Sequence, residues 1–262
     1  MDSSVIELLD TEARRINTPD FIDDDPVQFP RRFSDIRDIE IVSFLVASIA
    51  WGNRKMILRD AEKMLRLMDG QPYHYTMEKG YEELSDNENI HRTFFMRDFK
   101  YFLRGLNEIY SHHETIDAFN SHLKNRMPDT PPAWVLVDAM NAVFSRVCDG
   151  TPSNRCLPLN TRTSALKRVN MALRWLVRND GIVDMGVWKS IAPAQLYIPL
   201  DVHVGNVSRA LGILNRKSND RLAVMELTDN LRTIRPNDPT IYDFALFGLG
   251  VSGRAKEMFI GF

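Results

Sequence analysis

Cysteine is scarce: Cys148 and Cys156 are the only two in 262 residues. Two thiols cannot hold an iron–sulfur cluster, which takes four Cys- or His-type ligands. Though close enough in sequence to bridge, they are expected to stay free thiols of a reducing, cytoplasmic compartment. There is no run of about 18 apolar residues, so no membrane span is expected. The opening Met1-Asp2-Ser3-Ser4 lacks the basic and apolar regions of a signal peptide. No stretch alternates convincingly as a strand. Gly248-Leu249-Gly250 therefore follows no strand, and neither a P-loop nor a dinucleotide fingerprint is present. His112-His113-Glu114 does not have the three- or four-residue spacing that puts metal ligands on one helix face. No metal and no cofactor are expected. A net charge of −2 also lacks the basic excess that marks many nucleic-acid-binding domains.

What is present is apolar residue in quantity, 44%, enough to bury a sizeable core in one domain over residues 1–262 or in two closely packed lobes. The periodicity is helical throughout, and the fold class is all-α. An amphipathic helix is expected over Val5–Arg15, then a proline-broken acidic loop over Thr18–Arg32. Asp38–Ala50 is apolar on nearly every side, the mark of a central buried helix. Trp51-Gly52-Asn53-Arg54 interrupts it before a second helix to Met68, as either a helix corner or part of a cleft wall. The aromatic cluster from Phe94 to Tyr110 reads as core. Further helices are expected over Glu114–Lys124, Ala133–Val147, Ser164–Arg178, Asp201–Leu211, Asp220–Ile234 and Thr240–Leu249, with short helical turns at Asp184–Ile191 and Pro193–Leu196. Gly253 is expected to help loosen the tail, leaving Phe259 and Phe262 for packing.

Two local patterns bear on chemistry. No acid lies between Asp149 and Asp180, whereas Arg155, Arg162, Lys167, Arg168, Arg174 and Arg178 all do, so a basic face on an acidic body is expected. Downstream, the apolar run Leu196-Tyr197-Ile198-Pro199-Leu200 ends at Asp201, just where a helical pattern begins. Aspartate there caps the helix by accepting from its free N–H groups. Lys167 and Asp201, on neighbouring helices, are either a structural ion pair or a nucleophile and its partner.

The phrase Leu200-Asp201-Val202-His203-Val204, followed by Val207-Ser208-Arg209-Ala210-Leu211-Gly212, resembles a segment of the helix-hairpin-helix DNA glycosylase superfamily. Lys167-Arg168-Val169-Asn170-Met171, Arg174-Trp175, Ile198-Pro199-Leu200-Asp201 and Tyr242-Asp243-Phe244-Ala245-Leu246-Phe247-Gly248 are similar to signatures of an uncharacterised bacterial family, DUF2400, associated with that superfamily. The glycosylase resemblance implies a two-lobed helical domain acting in base excision repair, with DNA as partner. By it, Lys167 attacks the sugar C1′ and Asp201 activates it; the spacing is nearest that of archaeal oxoguanine glycosylases, which implies an oxidised purine as substrate. Asn160, Thr161, Arg162, Arg168 and Arg174 would contact DNA. Trp51, Asn53, Trp175 and His203 are candidates for the base pocket. One departure stands out: the hairpin of that superfamily is glycine-rich, while Leu157-Pro158-Leu159-Asn160-Thr161-Arg162-Thr163-Ser164 has no glycine. The same fold kept as a non-catalytic nucleic-acid or protein binding module is the alternative.

Overall fold

The computed structural model describes residues 1–127, 130–150, 153 and 155–252, with the side chains of 125 and 126 excepted. Helices, in chain order, are α1 (Ser3–Ile16), α2 (Asp20–Asp23), α3 (Ile36–Ile49), α4 (Arg54–Leu67), α5 (Pro72–Glu78), α6 (Met96–His112), α7 (Ile116–Arg126), α8 (Pro132–Val147), α9 (Lys167–Val177), α10 (Val202–Ala210), α11 (Arg221–Arg232) and α12 (Tyr242–Ser252). A two-stranded hairpin, β1 (Asn89–His91) and β2 (Phe94–Phe95), precedes α6. At 63% helix and 2% strand the class is all-α. Among the described residues no helix is long and apolar enough to cross a membrane. The tail holding Gly253, Phe259 and Phe262 lies outside the described residues.

The helix α3 organises the packing. Asp35 caps it, accepting from Arg37 N at 2.8 Å, and every residue from Ile39 to Ile49 is buried. It packs on α9 on one side and on α5 on another, while α1 lies along α12 and α12 along α10. The buried side chains form one continuous cluster drawn from both halves of the chain. Glu40, inside α3, is wholly buried and accepts from Ile116 N, Asp117 N and the Tyr110 hydroxyl. It thereby ties the positive N-terminal end of α7 to the central helix. Burial pushes its carboxyl up to about 7 in spite of those donors.

Four local expectations are corrected. The prolines of residues 18–32 start single 3₁₀ turns at Pro26–Gln28 and Pro30–Arg32, because proline fits the first helical position. The strands β1 and β2 are too short to show alternation in sequence. Residues 184–191 are irregular, because Met185 N and Trp188 N bond to the carbonyls of Trp175 and Leu176 at the end of α9 instead of to their own turn. Finally, α9 begins at Lys167 and not at Ser164. Leu166 is buried with φ +49, a left-handed conformation that stops the helix from extending backwards. Ser164 accepts from Leu166 N through its hydroxyl and from Trp134 Nε1 through its carbonyl. Both cysteines are free thiols.

Candidate functional site

Two adjoining cavities, of about 650 and 670 Å³, meet at a waist formed by Ala50, Trp51, Lys167, Asp201 and Val202. Three elements supply that waist: the end of α3, the first residue of α9, and the cap of α10. At the cap, Asp201 divides its oxygens. Oδ1 accepts from Val204 N at 2.9 Å and closes the first turn of α10, while Oδ2 lies 3.8 Å from Lys167 Nζ. The Asp201 carbonyl is itself held by the Asn219 amide at 2.9 Å. The side chains of Lys167 and Asp201 are 32% and 20% exposed, so both reach the cavities and neither is sealed in the core.

The second cavity carries a mixed set of charges and rings. Arg174 is only 4% exposed; it donates to Asp184 and, from Nη1, to Asp243. Asp243 reaches the cavity wall, and burial raises its carboxyl to about 6 even against Arg174. Asp25 faces the same space; burial raises its pKa too, while its carboxylate accepts from Val27 N. Trp175 lines this cavity with its buried Nε1–H lacking a partner among the described residues, and Phe21 and Phe247 supply further ring surface. The first cavity is bounded by Phe94, Arg155, Ser164 and Asn219. Among the described residues no group of three His, Cys, Asp or Glu could hold a metal ion.

Of the residues singled out in the sequence, the structure gathers Lys167, Asp201, Trp51, Trp175 and His203 around the cleft. Asn53 is corrected: it lines neither cavity, and its side chain caps α4 by accepting from Met56 N at 3.3 Å. Arg174 is likewise corrected from a DNA contact to a buried ion pair at the cavity wall, and Arg178 is buried against Asp180, Asp184 and Asp238. The expected basic face shrinks accordingly. Arg168 lines the first cavity but spends its Nη1 on the carbonyls of Ser48 and Arg155. Thr161 is buried and donates to Asp138 at 2.6 Å, and Asn160 folds back to accept from Arg162 N. Arg162 remains exposed. The connection between α8 and α9, residues 148–166, is far longer than a hairpin turn.

Asp25, Asp243 and Asn219 went unassigned in the sequence. Asp25 hides in an acidic run that reads as solvated, and its one distinguishing signal is the following Pro26, which makes it a cap. Asp243 stands beside an aromatic in the Tyr242-Asp243-Phe244 phrase, which gives an acid no role by itself.

A family described as "Protein of unknown function (DUF2400)" matches residues 25–252 of the chain. No curated protein and no solved structure matches it.

Proposed function

We propose that this chain, which belongs to the DUF2400 family, is a DNA N-glycosylase with β-lyase activity that removes an oxidised purine, built on a variant of the helix-hairpin-helix glycosylase architecture. The observation that carries this reading is the Lys167–Asp201 pair, 3.8 Å apart at the waist between two cavities. Each cavity falls within the roughly 300–1,000 Å³ usual for small-molecule sites, so one can take a base and the other the sugar and its phosphates. A glycosidic bond inside a duplex is out of reach, and the nucleotide must leave the stack to arrive there.

In this mechanism Lys167 passes a proton to Asp201 Oδ2, and the free amine attacks C1′. The C1′–N bond breaks, and the base leaves with the electron pair and takes up a proton. The sugar ring then opens: O4′ departs from C1′ and is protonated, while the Nζ lone pair forms a C=N bond. Loss of a C2′ proton expels the 3′ phosphate and cuts the strand. Asp201 gives the proton it received on to the departing base, and its restored carboxylate then faces the positive charge that develops on the sugar, an electrostatic role a fixed cap performs without reorganising. Asp25, Arg174, Asp243 and the unpartnered Trp175 Nε1–H offer both acceptors and donors to a base edge, and Trp51 offers a ring to stack on.

The test is incubation with a duplex holding one 8-oxoguanine, scored for free base and for strand cleavage. Both are expected from the wild type and neither from Lys167→Gln; base release by that variant at the wild-type rate sinks the assignment. A second reading, a binding module of the same fold, is favoured by the glycine-free segment 157–164, whose Thr161 and Asn160 side chains are used internally. It predicts salt-sensitive duplex binding with no base release.

A further inference from the structure

Trp51, the ring shared by both cavities, is gripped by a pair of residues that lie outside them. His91, at the end of β1, is 1% exposed. Its Nδ1 is 2.7 Å from Asp60 Oδ2, and its Nε2 is 3.0 Å from the carbonyl oxygen of Trp51. A carbonyl oxygen can only accept. Burial pushes the Asp60 carboxyl up, but hydrogen bonds from Arg59 and His91 outweigh it and hold it below its ordinary value, so it accepts as well. Both contacts are satisfied together when the ring donates from both nitrogens. The same ring meets the Trp51 indole edge-on, with centroids 5.5 Å apart and planes at 87°. One histidine therefore fixes both the main chain and the side chain of Trp51, and Asp60 fixes the histidine.

A face of that indole is covered by a guanidinium. Arg92 Cζ stands 4.6 Å from the Trp51 ring centroid, and among the described residues Arg92 makes no ion pair. Arg92 sits at φ +51 at the tip of the β1–β2 hairpin, and it lies across Gly52, where an added Cβ would collide with it. Gly52 itself is at φ +97, a conformation open to glycine. The turn is thus shaped to let Arg92 lie over the indole.

We propose that Asp60 and His91 are positioning residues that hold the Trp51 indole as a stacking platform, from whose face Arg92 is displaced by an incoming nucleobase. Cation–π and base–indole stacking are of similar strength, so the exchange is close to balanced and needs only the extra contacts of the cleft to favour the base. The nucleobase as occupant rests on the proposed function; the control of Trp51 by Asp60 and His91 does not.

Asp60→Asn tests this. The amide can still meet Nδ1 but no longer supports a ring that donates from both ends, so the bond to the Trp51 carbonyl is lost. In protein labelled with 5-fluorotryptophan, four ¹⁹F resonances are expected, one for each tryptophan; Trp51→Phe identifies that of Trp51. Asp60→Asn is expected to shift or broaden that resonance alone. Unchanged Trp51, or equal movement of all four, overturns the positioning role. In the Lys167→Gln background, Trp51→Ala and Asp60→Asn are each expected to weaken binding of an 8-oxoguanine duplex roughly tenfold, and their combination to weaken it no further than the worse single variant. Multiplying effects contradict the proposal. A wild-type chain that binds no duplex removes the nucleobase as occupant and the proposed function with it, while the ¹⁹F result still decides the control of Trp51.

Discussion

Replacing Arg174 by methionine separates the two roles that a basic residue on α9 can have. Its side chain is 4% exposed, between Asp184 at 0% and Asp243 at 8%. The guanidinium also stands 4.2 Å over the Phe244 ring. Methionine keeps much of the packing but leaves the buried Asp243 carboxylate without its cation, while Asp184 keeps Arg178 at 3.0 Å. Removing one partner of a buried ion pair costs about 3–5 kcal/mol. At roughly 2–4 °C per kcal/mol for a chain of this size, the Tm falls by roughly 10 °C. Asp243 can relieve part of the loss by taking up a proton, so the deficit is smaller at pH 5 than at pH 8. Adding Asp243→Asn to Arg174→Met recovers a fraction of it, because the two sites are coupled. Urea denaturation at both pH values reads the effect. A loss under about 0.5 kcal/mol, with the salt dependence of duplex binding reduced by about one unit of slope, is instead the signature of a surface phosphate contact and refutes the burial argument.

Two further outcomes follow from the same geometry. Asp201→Asn keeps a good cap for α10, while Asp201→Ala loses about 1 kcal/mol. Both variants lose glycosylase rate by about 10²-fold or more, so activity and stability part company in the asparagine variant, as read by base release beside thermal melting. Glu40 has its carboxyl raised from 4.5 to about 7 in the folded chain. A raised folded value means its contribution is fully present below the unfolded value and is lost as pH rises through about 7. Glu40→Gln is therefore less stable at pH 5 than the wild type, through one hydrogen bond turned into a donor–donor contact, and it shows a smaller fall in urea midpoint between pH 5 and pH 8.

The elements legible in the sequence are those whose cause is local. The all-round apolar pattern of α3, the Asp201 cap and the amphipathic stripe of α4 each need only a few neighbouring residues to specify them. What stayed hidden depends on partners distant in the chain. Arg174 and Arg178 sit in an acid-free segment and read as a solvated face. Their carboxylates come from Asp238 and Asp243, and from Asp184 in an irregular stretch that sequence periodicity reads as a helical turn. The first residue of α9 was displaced because a buried leucine adopts a left-handed conformation, which no propensity favours. His91 and Asp60 carry no motif at all: their relation to Trp51 arises from a hairpin only seven residues long, 89–95, that brings His91 to the turn after α3. Asp201 is legible because it closes an apolar run where a helical pattern begins, whereas Lys167, expected inside a helix from Ser164, is singled out by its place on the helix neighbouring Asp201 and by the glycosylase resemblance.

The proposed function rests on Lys167 as the nucleophile. Borohydride reduction during reaction with an 8-oxoguanine duplex converts the C=N bond to a stable amine, and digestion followed by mass spectrometry locates the modified peptide. A sugar remnant is expected on Lys167 Nζ, absent in Lys167→Gln and strongly diminished in Asp201→Asn. An adduct on another residue, or one that survives intact in Lys167→Gln, contradicts it.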